Sequence, residues 1–301
     1  MAEVSIVIPA YNEAGAVGAT IKKLRNTFEN SGHTVEIIVV DDGSKDATSQ
    51  EAEASGAVVI RHPYNVGYGN ALLTGIYHAR HPLIGITDAD GTYPVNELPG
   101  MVTETAARGL DMLVGARHGK YYHGGLIKRF ARLCFKWLAE FVCGREIPDI
   151  NSGLRVMRRD MVLRFAGALC GGFSFTTTIT IVAILNHRFV DYHPIAYAPR
   201  IGKSHVRYLR DTLRTAQILV MTILTFNPIK LYMLYVLFVL GLGAVAVALY
   251  ALVPAIRDGI LLASLFALSA CLLMGCGFLA EQRRASAINI LEDPNKLHEK
   301  Q

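Results

Sequence analysis

The chain has 301 residues, enough for one large domain or two smaller ones, and 51% of them are hydrophobic. Its mean hydropathy of +0.31 is high for a soluble protein. The net charge of +5 is modest and clusters beside the apolar C-terminal part, which suits anionic lipid headgroups better than nucleic acid. The five cysteines show no Cys-x-x-Cys spacing, which argues against a zinc site or a disulfide framework.

The N-terminal two thirds of the chain alternate short apolar runs with helical patterns. The runs predict buried strands at residues 4–9, 35–40 and 58–61, and a fourth strand that ends just before Asp88. Helical patterns follow the first and third of these runs. This alternation predicts an α/β domain with a mainly parallel sheet that is covered by helices on both faces.

Polar clusters follow three of the predicted strands, at residues 9–13, 41–44 and 88–91. Ligands of such sheets bind at the carboxyl ends of the strands, so we expect the clusters to meet at one edge. Asp88 and Asp90 stand one residue apart where a strand runs into a turn, and both carboxylates can reach one hard cation. A diphosphate can supply the remaining oxygens, which is the arrangement for a nucleotide-sugar donor. The competing interpretation is a surface turn with two solvated aspartates.

Gly67 and Gly69 could be taken for part of a dinucleotide-binding loop. That loop requires Gly-x-Gly-x-x-Gly after the first strand, whereas this pair follows the third strand and Leu72 occupies the last position. We therefore predict that these glycines permit a tight turn and a close approach of the following helix to the edge of the sheet.

Residues 124–144 combine an apolar stripe at steps of three and four with basic residues on other faces. The stripe consists of Leu126, Phe130, Leu133, Trp137 and Phe141, and the basic residues are Lys128, Arg129, Arg132 and Lys136. One interpretation is a helix that faces the core. The other is a helix in the membrane interface. The sequence leaves both interpretations of residues 124–144 open. Residues 208–226 have a similar mixture of basic and apolar residues, which predicts a juxtamembrane helix.

Two uncharged apolar runs of 23 and 22 residues, at 231–253 and 259–280, are each long enough to cross a bilayer core of about 30 Å. They predict two transmembrane helices. Two buried core helices would need a larger surrounding globule than the short tail that follows them.

The charges that flank these runs predict an orientation. The flanking basic residues are Arg207, Arg210, Arg214 and Lys230 before the first run and Arg283 and Arg284 after the second. The connection at 254–258 carries one charge of each sign. The positive-inside rule therefore predicts that the N-terminal domain and the C-terminal tail are cytoplasmic. Because Met1 leads directly into a strand, we expect no signal peptide.

Seven motifs in one order carry a family resemblance. They are Ile8-Pro-Ala-Tyr-Asn-Glu13, Val40-Asp-Asp-Gly-Ser44, Asn65-x-Gly-x-Gly-x-Ala71, Asp88-Ala-Asp90, Gly115-Ala-Arg117, Asp149-x-Asn-Ser-Gly-Leu-Arg155 and Arg200-Ile-Gly-Lys-Ser204. This order resembles the family 2 glycosyltransferases of GT-A fold, above all the dolichol-phosphate mannose synthase group and its bacterial polyprenyl-phosphate relatives. The resemblance covers about residues 4–210. It implies a Rossmann-like nucleotide-diphospho-sugar transferase domain, followed by two transmembrane helices.

The resemblance implies roles for the matching residues. The donor would be bound by Pro9, Tyr11, Glu13, Asp41, Asp88, Ala89, Asp90 and Arg117, the first four at the nucleoside. Mg²⁺ or Mn²⁺ would be held by Asp88 and Asp90. Acceptor and phosphate groups would be bound by Arg129, Arg155, Arg200, Lys203 and Ser204. In relatives a glutamine two residues after the second aspartate completes the metal site, whereas Thr92 stands there in this chain. The sequence therefore leaves open whether the Thr92 hydroxyl or a water takes the place of this glutamine at the metal.

The implied reaction is the inverting transfer of a hexose from GDP-mannose or a UDP-hexose to dolichyl or undecaprenyl phosphate, which gives a β-linked product. A phosphate monoester has a second pKa of about 6, so the acceptor oxygen is already anionic and needs no general base. The site must instead supply positioning, a metal and cations. The catalytic residues would be Asp88, Asp90, Arg117 and Arg200.

Three other functions compete with this one. A processive polysaccharide synthase would carry a Gln-x-x-Arg-Trp motif and more spans, and the only tryptophan, Trp137, lacks that context. Transfer to the hydroxyl of a lipid-linked sugar would require a general base, for which Asp149 is the available motif carboxylate. A non-catalytic scaffold would have lost the metal carboxylates, and both are present.

These observations predict four parts of the chain: a GT-A catalytic domain at 1–205, a juxtamembrane amphipathic segment at 206–228, a two-helix transmembrane anchor at 229–281 and a cytoplasmic tail at 282–301. The partners would be a nucleotide-diphosphate sugar, a polyprenyl phosphate lipid and the cytoplasmic membrane, without nucleic acid. A homo-oligomer that forms through the transmembrane helices is also compatible with the sequence. The sequence does not separate GDP from UDP donors.

Overall fold

The computed structural model describes residues 1–118, 126–169, 171–172, 174–196, 217, 220–221, 223–252 and 259–292. Among these, the side chains at 126–132, 134, 249–252, 259–263 and 284–292 are not described. The chain divides into two compact units, Met1–Leu219 and Val220–Gln301.

Seven strands form a single sheet in the first unit. They are β1 (Glu3–Ala10), β2 (Thr34–Asp41), β3 (Val58–Arg61), β4 (Leu83–Ile86), β5 (Met112–His118), β6 (Arg155–Arg158) and β7 (Val190–Ala196). Their order in the sheet is β3-β2-β1-β4-β6-β5-β7. β6 is antiparallel to both of its neighbours, and the other neighbouring pairs are parallel. The mainly parallel sheet predicted from the sequence is confirmed.

The helices of this unit cover both faces of the sheet. They are α1 (Val17–Glu29), α2 (Thr48–Ala54), α3 (Tyr68–His78), α4 (Leu98–Ala107), α5 (Leu126–Cys143), α6 (Arg159–Phe165) and α7 (Phe175–Leu185). Alternate β1 residues such as Ile6 and Ile8 share one core cluster with α1 and α4. Val7, which points to the other face, packs against Gly75 of α3, where a Cβ would come within 2.4 Å of it.

The direction of β6 brings a new segment to the edge that carries the predicted site. Arg155, the first residue of β6, is paired with Ile86 at the end of β4 and with Val114 of β5. The chain segment 149–154 therefore enters the sheet at the same edge where β4 leaves it. Asp88 and Asp90 follow β4 at that edge.

The described part of the apolar stripe on α5 does not face the core. The side chains of Leu133, Trp137 and Phe141 are 63%, 55% and 37% exposed, whereas Ala139 and Val142 of the same helix are buried. Trp137 and Phe141 stack on each other, with ring centroids 5.7 Å apart. The core-facing interpretation is wrong for these three residues.

The second unit contains α8 (Pro228–Leu252) and α9 (Gly259–Glu292). Both are long and apolar enough to cross a membrane, over Pro228–Ala248 and Ser264–Arg283. They pack antiparallel through glycines, because a Cβ at Gly243 would lie 3.0 Å from Phe266 and one at Gly277 would lie 2.8 Å from Tyr232. α9 continues to Glu292, so the first part of the predicted tail is helical.

Candidate active site

Asp90 lies in the turn after β4 and is almost fully buried. Its Oδ1 atom accepts hydrogen bonds from the Thr92 backbone N–H at 3.1 Å and from the Thr92 hydroxyl at 2.7 Å. The carbonyl of Ala89 accepts a hydrogen bond from the Thr20 hydroxyl of α1 at 3.0 Å. The turn is thus fastened to α1, and Thr92 orients the Asp90 carboxylate.

Asp88 contacts the first residue of α3. The Tyr68 hydroxyl donates a hydrogen bond to Asp88 Oδ1 at 3.0 Å. Burial, followed by the charge of Asp88, raises the pKa of Tyr68 well above its ordinary value, so the phenol stays protonated and remains a donor. Both aspartates predicted to hold a metal therefore receive a hydrogen bond from a neutral hydroxyl.

The loops after β1 and β2 are tied to each other. The backbone N–H of Asn12 donates to the Ser44 hydroxyl at 2.9 Å, and the N–H of Glu13 donates to the Thr48 hydroxyl at 2.9 Å. Pro9 is buried in β1, where it is paired with Val40. The segment with Pro9, Tyr11 and Glu13 therefore lies beside the loop that follows Asp41, as predicted for the strand ends.

Asp41 itself is fully buried. Its carboxylate accepts hydrogen bonds from the Ser44 N–H, at 2.8 Å, and from the Ser49 hydroxyl. The Nε atom of Arg61 lies 3.7 Å away. These contacts show that Asp41 shapes its own loop, and its predicted contact with the nucleoside stays a prediction.

Asp42 has a structural role that was not predicted from the sequence. Its two oxygens accept hydrogen bonds from the backbone N–H groups of Val66, at 3.0 Å, and Gly67, at 2.8 Å, and His62 Nδ1 lies 2.8 Å from Oδ1. Asp42 thereby fixes the start of α3. The two consecutive aspartates at the end of β2 were the feature of the sequence from which this role could have been predicted.

Arg117 and Asp149 form a two-point ion pair. Arg117 Nε lies 2.7 Å from Asp149 Oδ2, and a terminal guanidinium nitrogen lies 3.0 Å from Oδ1. Arg117 also contacts the Tyr93 hydroxyl at 3.4 Å, and that hydroxyl accepts a hydrogen bond from the Gly153 N–H at 2.7 Å. Both Asp149 oxygens accept bonds from Arg117, which argues against Asp149 as the base for a sugar hydroxyl.

The position of Arg155 corrects its predicted contact with a substrate phosphate. Its side chain is fully buried, and its guanidinium donates to the carbonyls of Ser152 and Ile150 and to the Thr180 hydroxyl of α7. Burial lowers the pKa of Arg155 to about 10, which leaves it charged at neutral pH. Arg155 therefore fastens the 149–154 segment to α7 and lies out of reach of a substrate.

The threonine-rich start of α7 supports the same segment. The Thr177 hydroxyl donates to Asn151 Oδ1 at 2.6 Å, and Thr180 is the hydroxyl that binds Arg155. In this chain the threonines hold the loop that carries Asp149.

Several predicted site residues lie outside the described part of the chain. These are Arg200, Lys203 and Ser204. The backbone of Arg129 lies in α5, but its side chain is not described. Their roles at the acceptor stay predictions.

A cavity of 1020 Å³ lies at the opposite edge of the sheet. It is lined by residues such as Glu3 at the start of β1, Leu83 at the start of β4 and Arg158 at the end of β6. We place the candidate site at the other edge, because the aspartates and the charged pair of Arg117 and Asp149 meet there.

Comparison with known proteins identifies the family of this chain. The sequence model of glycosyl transferase family 2 matches residues 5–165, which is 161 of the 301 residues. This chain belongs to glycosyl transferase family 2. The match contains the turns after β1, β2 and β4 as well as Arg117, Asp149 and Arg155. The family 2 assignment confirms the predicted resemblance.

Relatives of this family 2 chain occur in archaea and bacteria. An uncharacterized protein of Methanocaldococcus jannaschii is 34% identical over 174 residues, 56% of this chain and 69% of the relative. The dodecaprenyl-phosphate galacturonate synthase of Rhizobium johnstonii is 28% identical, over 62% of this chain and 59% of its own length. The undecaprenyl-phosphate 4-deoxy-4-formamido-L-arabinose transferase of Klebsiella pneumoniae is 28% identical, over 77% and 71%.

Solved structures share the fold of the family 2 domain. Glucosyl-3-phosphoglycerate synthase of Mycobacterium tuberculosis, in complex with Mn²⁺, UDP and glucosyl-3-phosphoglycerate, superposes with a TM-score of 0.60 at 18% identity. The superposition covers 73% of this chain and 80% of that one. A structure of the same enzyme in complex with Mg²⁺ and UDP gives the same TM-score, at 17% identity. The likeness confirms the predicted GT-A architecture.

The residues of the family 2 site fit a hard divalent cation. Asp88 and Asp90 offer carboxylate oxygens from one turn, and each carboxylate is oriented by a hydroxyl. Within the described ranges, no group of three or more His, Cys, Asp and Glu side chains could hold a metal. Two carboxylates completed by substrate phosphates and water are how Mg²⁺ is commonly bound at phosphate-transferring sites.

Proposed function

We propose that this chain transfers a hexose from a nucleotide-diphosphate sugar, GDP-mannose or a UDP-hexose, to a polyprenyl phosphate such as dolichyl or undecaprenyl phosphate. The observation that carries the proposal is the pair of oriented carboxylates, Asp88 and Asp90, in a family 2 domain whose chain also contains two helices able to cross a membrane. The names of the Rhizobium and Klebsiella relatives support it, since both specify a polyprenyl-phosphate product or acceptor.

In the proposed mechanism, Asp88 and Asp90 would hold Mg²⁺ or Mn²⁺ together with the donor diphosphate. The cation would neutralise the charge that develops on the departing nucleoside diphosphate. The tied loops that carry Pro9, Tyr11, Glu13 and Asp41 would position the nucleoside. Ala89 would approach the donor through the backbone of the turn.

Arg117 contributes to the proposed donor site through the fixed orientation of its guanidinium. Its guanidinium is held by Asp149 and is only 14% exposed, so it stays in one orientation at the end of β5. A planar fork that is fixed in this way suits a phosphate oxygen on its exposed side. We therefore keep Arg117 as a donor-phosphate residue, with Asp149 as its positioning partner.

The acceptor needs cations and no base. Its phosphate oxygen is already anionic at neutral pH, since the second pKa of a phosphate monoester is about 6. The proposed acceptor residues are Arg129, Arg200, Lys203 and Ser204. Their task would be to let two anionic phosphate groups approach each other. Direct displacement at the sugar would invert the anomeric centre and give a β-linked polyprenyl-phospho-sugar.

The proposed acceptor is a membrane lipid, and two parts of the chain suit a membrane. α8 and α9 would form the anchor, with the N-terminal unit and the C-terminus on the cytoplasmic side. The exposed face of α5 with Leu133, Trp137 and Phe141 would contact the lipid surface, since aromatic rings settle at the headgroup level. The basic residues in the α5 sequence match anionic headgroups.

The metal-binding part of this proposal is tested by Asp90→Asn. Mn²⁺-dependent binding of UDP and GDP to the full-length protein in detergent is measured by calorimetry. We expect the variant to lose at least about tenfold in affinity, because one of two metal carboxylates is neutralised. Asp160→Asn, an exposed site on α6 at the opposite edge, is the matched control and should bind as the wild type does. Wild-type nucleotide binding in Asp90→Asn, or full turnover in excess EDTA, would contradict the metal assignment.

A further inference from the structure

Two segments that are distant in sequence, the start of α3 and the segment before β6, meet at Asp88. The Tyr68 hydroxyl at the start of α3 lies 3.0 Å from Asp88 Oδ1. Gly153, in the segment that enters β6, lies against the same group from another side. A Cβ at Gly153 would be 3.1 Å from Asp88 Oδ1 and 3.3 Å from the Tyr68 hydroxyl. Only a residue without a side chain leaves this contact undisturbed.

Tyr68 is itself held in place by the loop before it. The two oxygens of Asp42 accept hydrogen bonds from the N–H groups of Val66 and Gly67, the two residues that precede Tyr68. On the other side, the N–H of Asn70 donates to the carbonyl of Gly171 at 2.9 Å. Hydrogen bonds on both sides of Tyr68 therefore hold the start of α3 in place, and they fix the direction of the Tyr68 side chain.

The chemistry of this contact differs from that of the neighbouring ion pair. Asp149 is bound by the cation of Arg117, which neutralises its charge. Tyr68 is a neutral donor, so its hydrogen bond can restrict the rotation of the Asp88 carboxylate without itself adding a positive charge.

We propose that Tyr68 is a positioning residue that orients the Asp88 carboxylate for a divalent cation and the donor diphosphate. The inference rests on the proposed function, because it assumes that Asp88 binds the metal. Hydrogen-bonding partners of metal ligands commonly contribute about 10- to 100-fold to metal affinity. Gly153 would complete the arrangement by leaving room for the hydroxyl and the carboxylate to meet.

The test is Tyr68→Phe in the full-length protein, which removes one oxygen and keeps the ring. Mn²⁺ binding in the presence of UDP, and separately of GDP, is followed by electron paramagnetic resonance. We expect the dissociation constant for Mn²⁺ to rise at least about tenfold, with an altered spectrum of the bound ion and an unchanged melting temperature. Tyr77→Phe, an exposed tyrosine on the same helix, is the matched control and should leave Mn²⁺ binding unchanged.

A double-mutant cycle separates positioning from a general structural effect. If Tyr68 acts through Asp88, Tyr68→Phe should change Mn²⁺ binding by less than about twofold when Asp88→Asn is already present. Gly153→Ala is a second variant, which should weaken Mn²⁺ binding by crowding the contact. Wild-type Mn²⁺ affinity in Tyr68→Phe would overturn the inference. If Asp90→Asn weakened Mn²⁺ binding in the same assay, the proposed metal site would stand and the role of Tyr68 alone would fail.

Discussion

At the scale of single residues, the carboxylates at the edge of the sheet that contains the candidate site have three kinds of partner. Asp149 is paired with the guanidinium of Arg117, and Asp42 is bound by two backbone N–H groups. Asp88 and Asp90 accept hydrogen bonds from the neutral hydroxyls of Tyr68 and Thr92. A hydroxyl donor orients a carboxylate without itself adding a positive charge. The metal assignment to Asp88 and Asp90 stays a proposal, which these oriented carboxylates in one turn support.

Tyr192 on β7 gives a prediction about alkaline stability. Its hydroxyl is buried and has no hydrogen-bond partner among the described residues, and burial raises its pKa to about 12. The unfolded state would ionise near pH 10. Between these values the unfolded state has lost the proton and the folded state keeps it, so the contribution of this group to stability falls as pH rises from about 10 to about 12.

Tyr192→Phe removes that group. At about pH 8 the variant should be as stable as the wild type, or more stable by up to ~1 kcal/mol, because an unpaired buried hydroxyl is lost. Between about pH 8 and about pH 11 its free energy of unfolding should fall less than that of the wild type, by an amount on the order of 1 kcal/mol. Urea unfolding followed by far-ultraviolet circular dichroism measures both. An equal fall in the wild type and in Tyr192→Phe would show that Tyr192 ionises normally.

Some site residues could be predicted from the sequence and others could not, for physical reasons. Asp88 and Asp90 follow directly after an apolar run, and the end of a buried strand is visible locally. The burial of Arg155 is not visible, because it depends on carbonyls of Ser152 and Ile150 that fold back over the guanidinium. The contact of Tyr68 with Asp88 joins residues 20 positions apart through the packing of α3, which no local pattern encodes.

At the scale of secondary-structure elements, β6 decides which residues meet at the site. The sequence predicted four strands and a mainly parallel sheet, and the four strands are present. It did not predict β5, β6 and β7 or the antiparallel direction of β6. A four-residue strand has the same local pattern in either direction, and its pairing is set by the long connection that precedes it. Without β6, Gly153 would not approach Asp88.

α5 is the element for which the sequence left two interpretations. The exposed side chains of Leu133, Trp137 and Phe141 favour the membrane interface over the core. Because Trp137 is the only tryptophan, its fluorescence reports on this helix alone. In proteoliposomes of the full-length protein, we expect Trp137 to be quenched by lipids labelled near the headgroup and to be shielded from aqueous iodide.

A relocated tryptophan provides the control for that measurement. Phe189 is 70% exposed just before β7, at the edge of the sheet opposite Asp88. In a Trp137→Phe background, Phe189→Trp should be quenched by iodide and should respond little to labelled lipids. Strong quenching of Trp137 by iodide without quenching by labelled lipids would contradict contact of α5 with the membrane.

At the scale of the whole molecule, an α/β unit is joined in one chain to two apolar helices. The lengths of the apolar runs predicted α8 and α9 well, because a span of bilayer length is a strong signal even in a single sequence. The extension of α9 to Glu292 was missed, since helical propensity continues past the point where the apolar pattern ends. The chain thus combines a glycosyl transferase family 2 domain with two helices long and apolar enough to cross a membrane.

The proposed orientation can be tested with tags on the full-length protein in intact cells. Tags at residue 1 and at residue 301 should be protected from external protease, and a tag within 254–258 should be accessible. The expectation follows from the basic residues that flank the two apolar runs on one side. Cleavage of both terminal tags from outside would place the donor site away from the cytoplasm and would contradict the proposed supply of nucleotide sugar.

The central claim is the transfer of a sugar to polyprenyl phosphate, and one measurement tests it most directly. Full-length protein in proteoliposomes, with and without added polyprenyl phosphate, is incubated with radiolabelled GDP- and UDP-sugars, and the label in an organic extract is counted. We predict that at least one donor labels the lipid, that labelling requires both polyprenyl phosphate and a divalent cation, and that Asp90→Asn abolishes it. Absence of lipid label with every donor, or equal labelling without polyprenyl phosphate, would contradict the account.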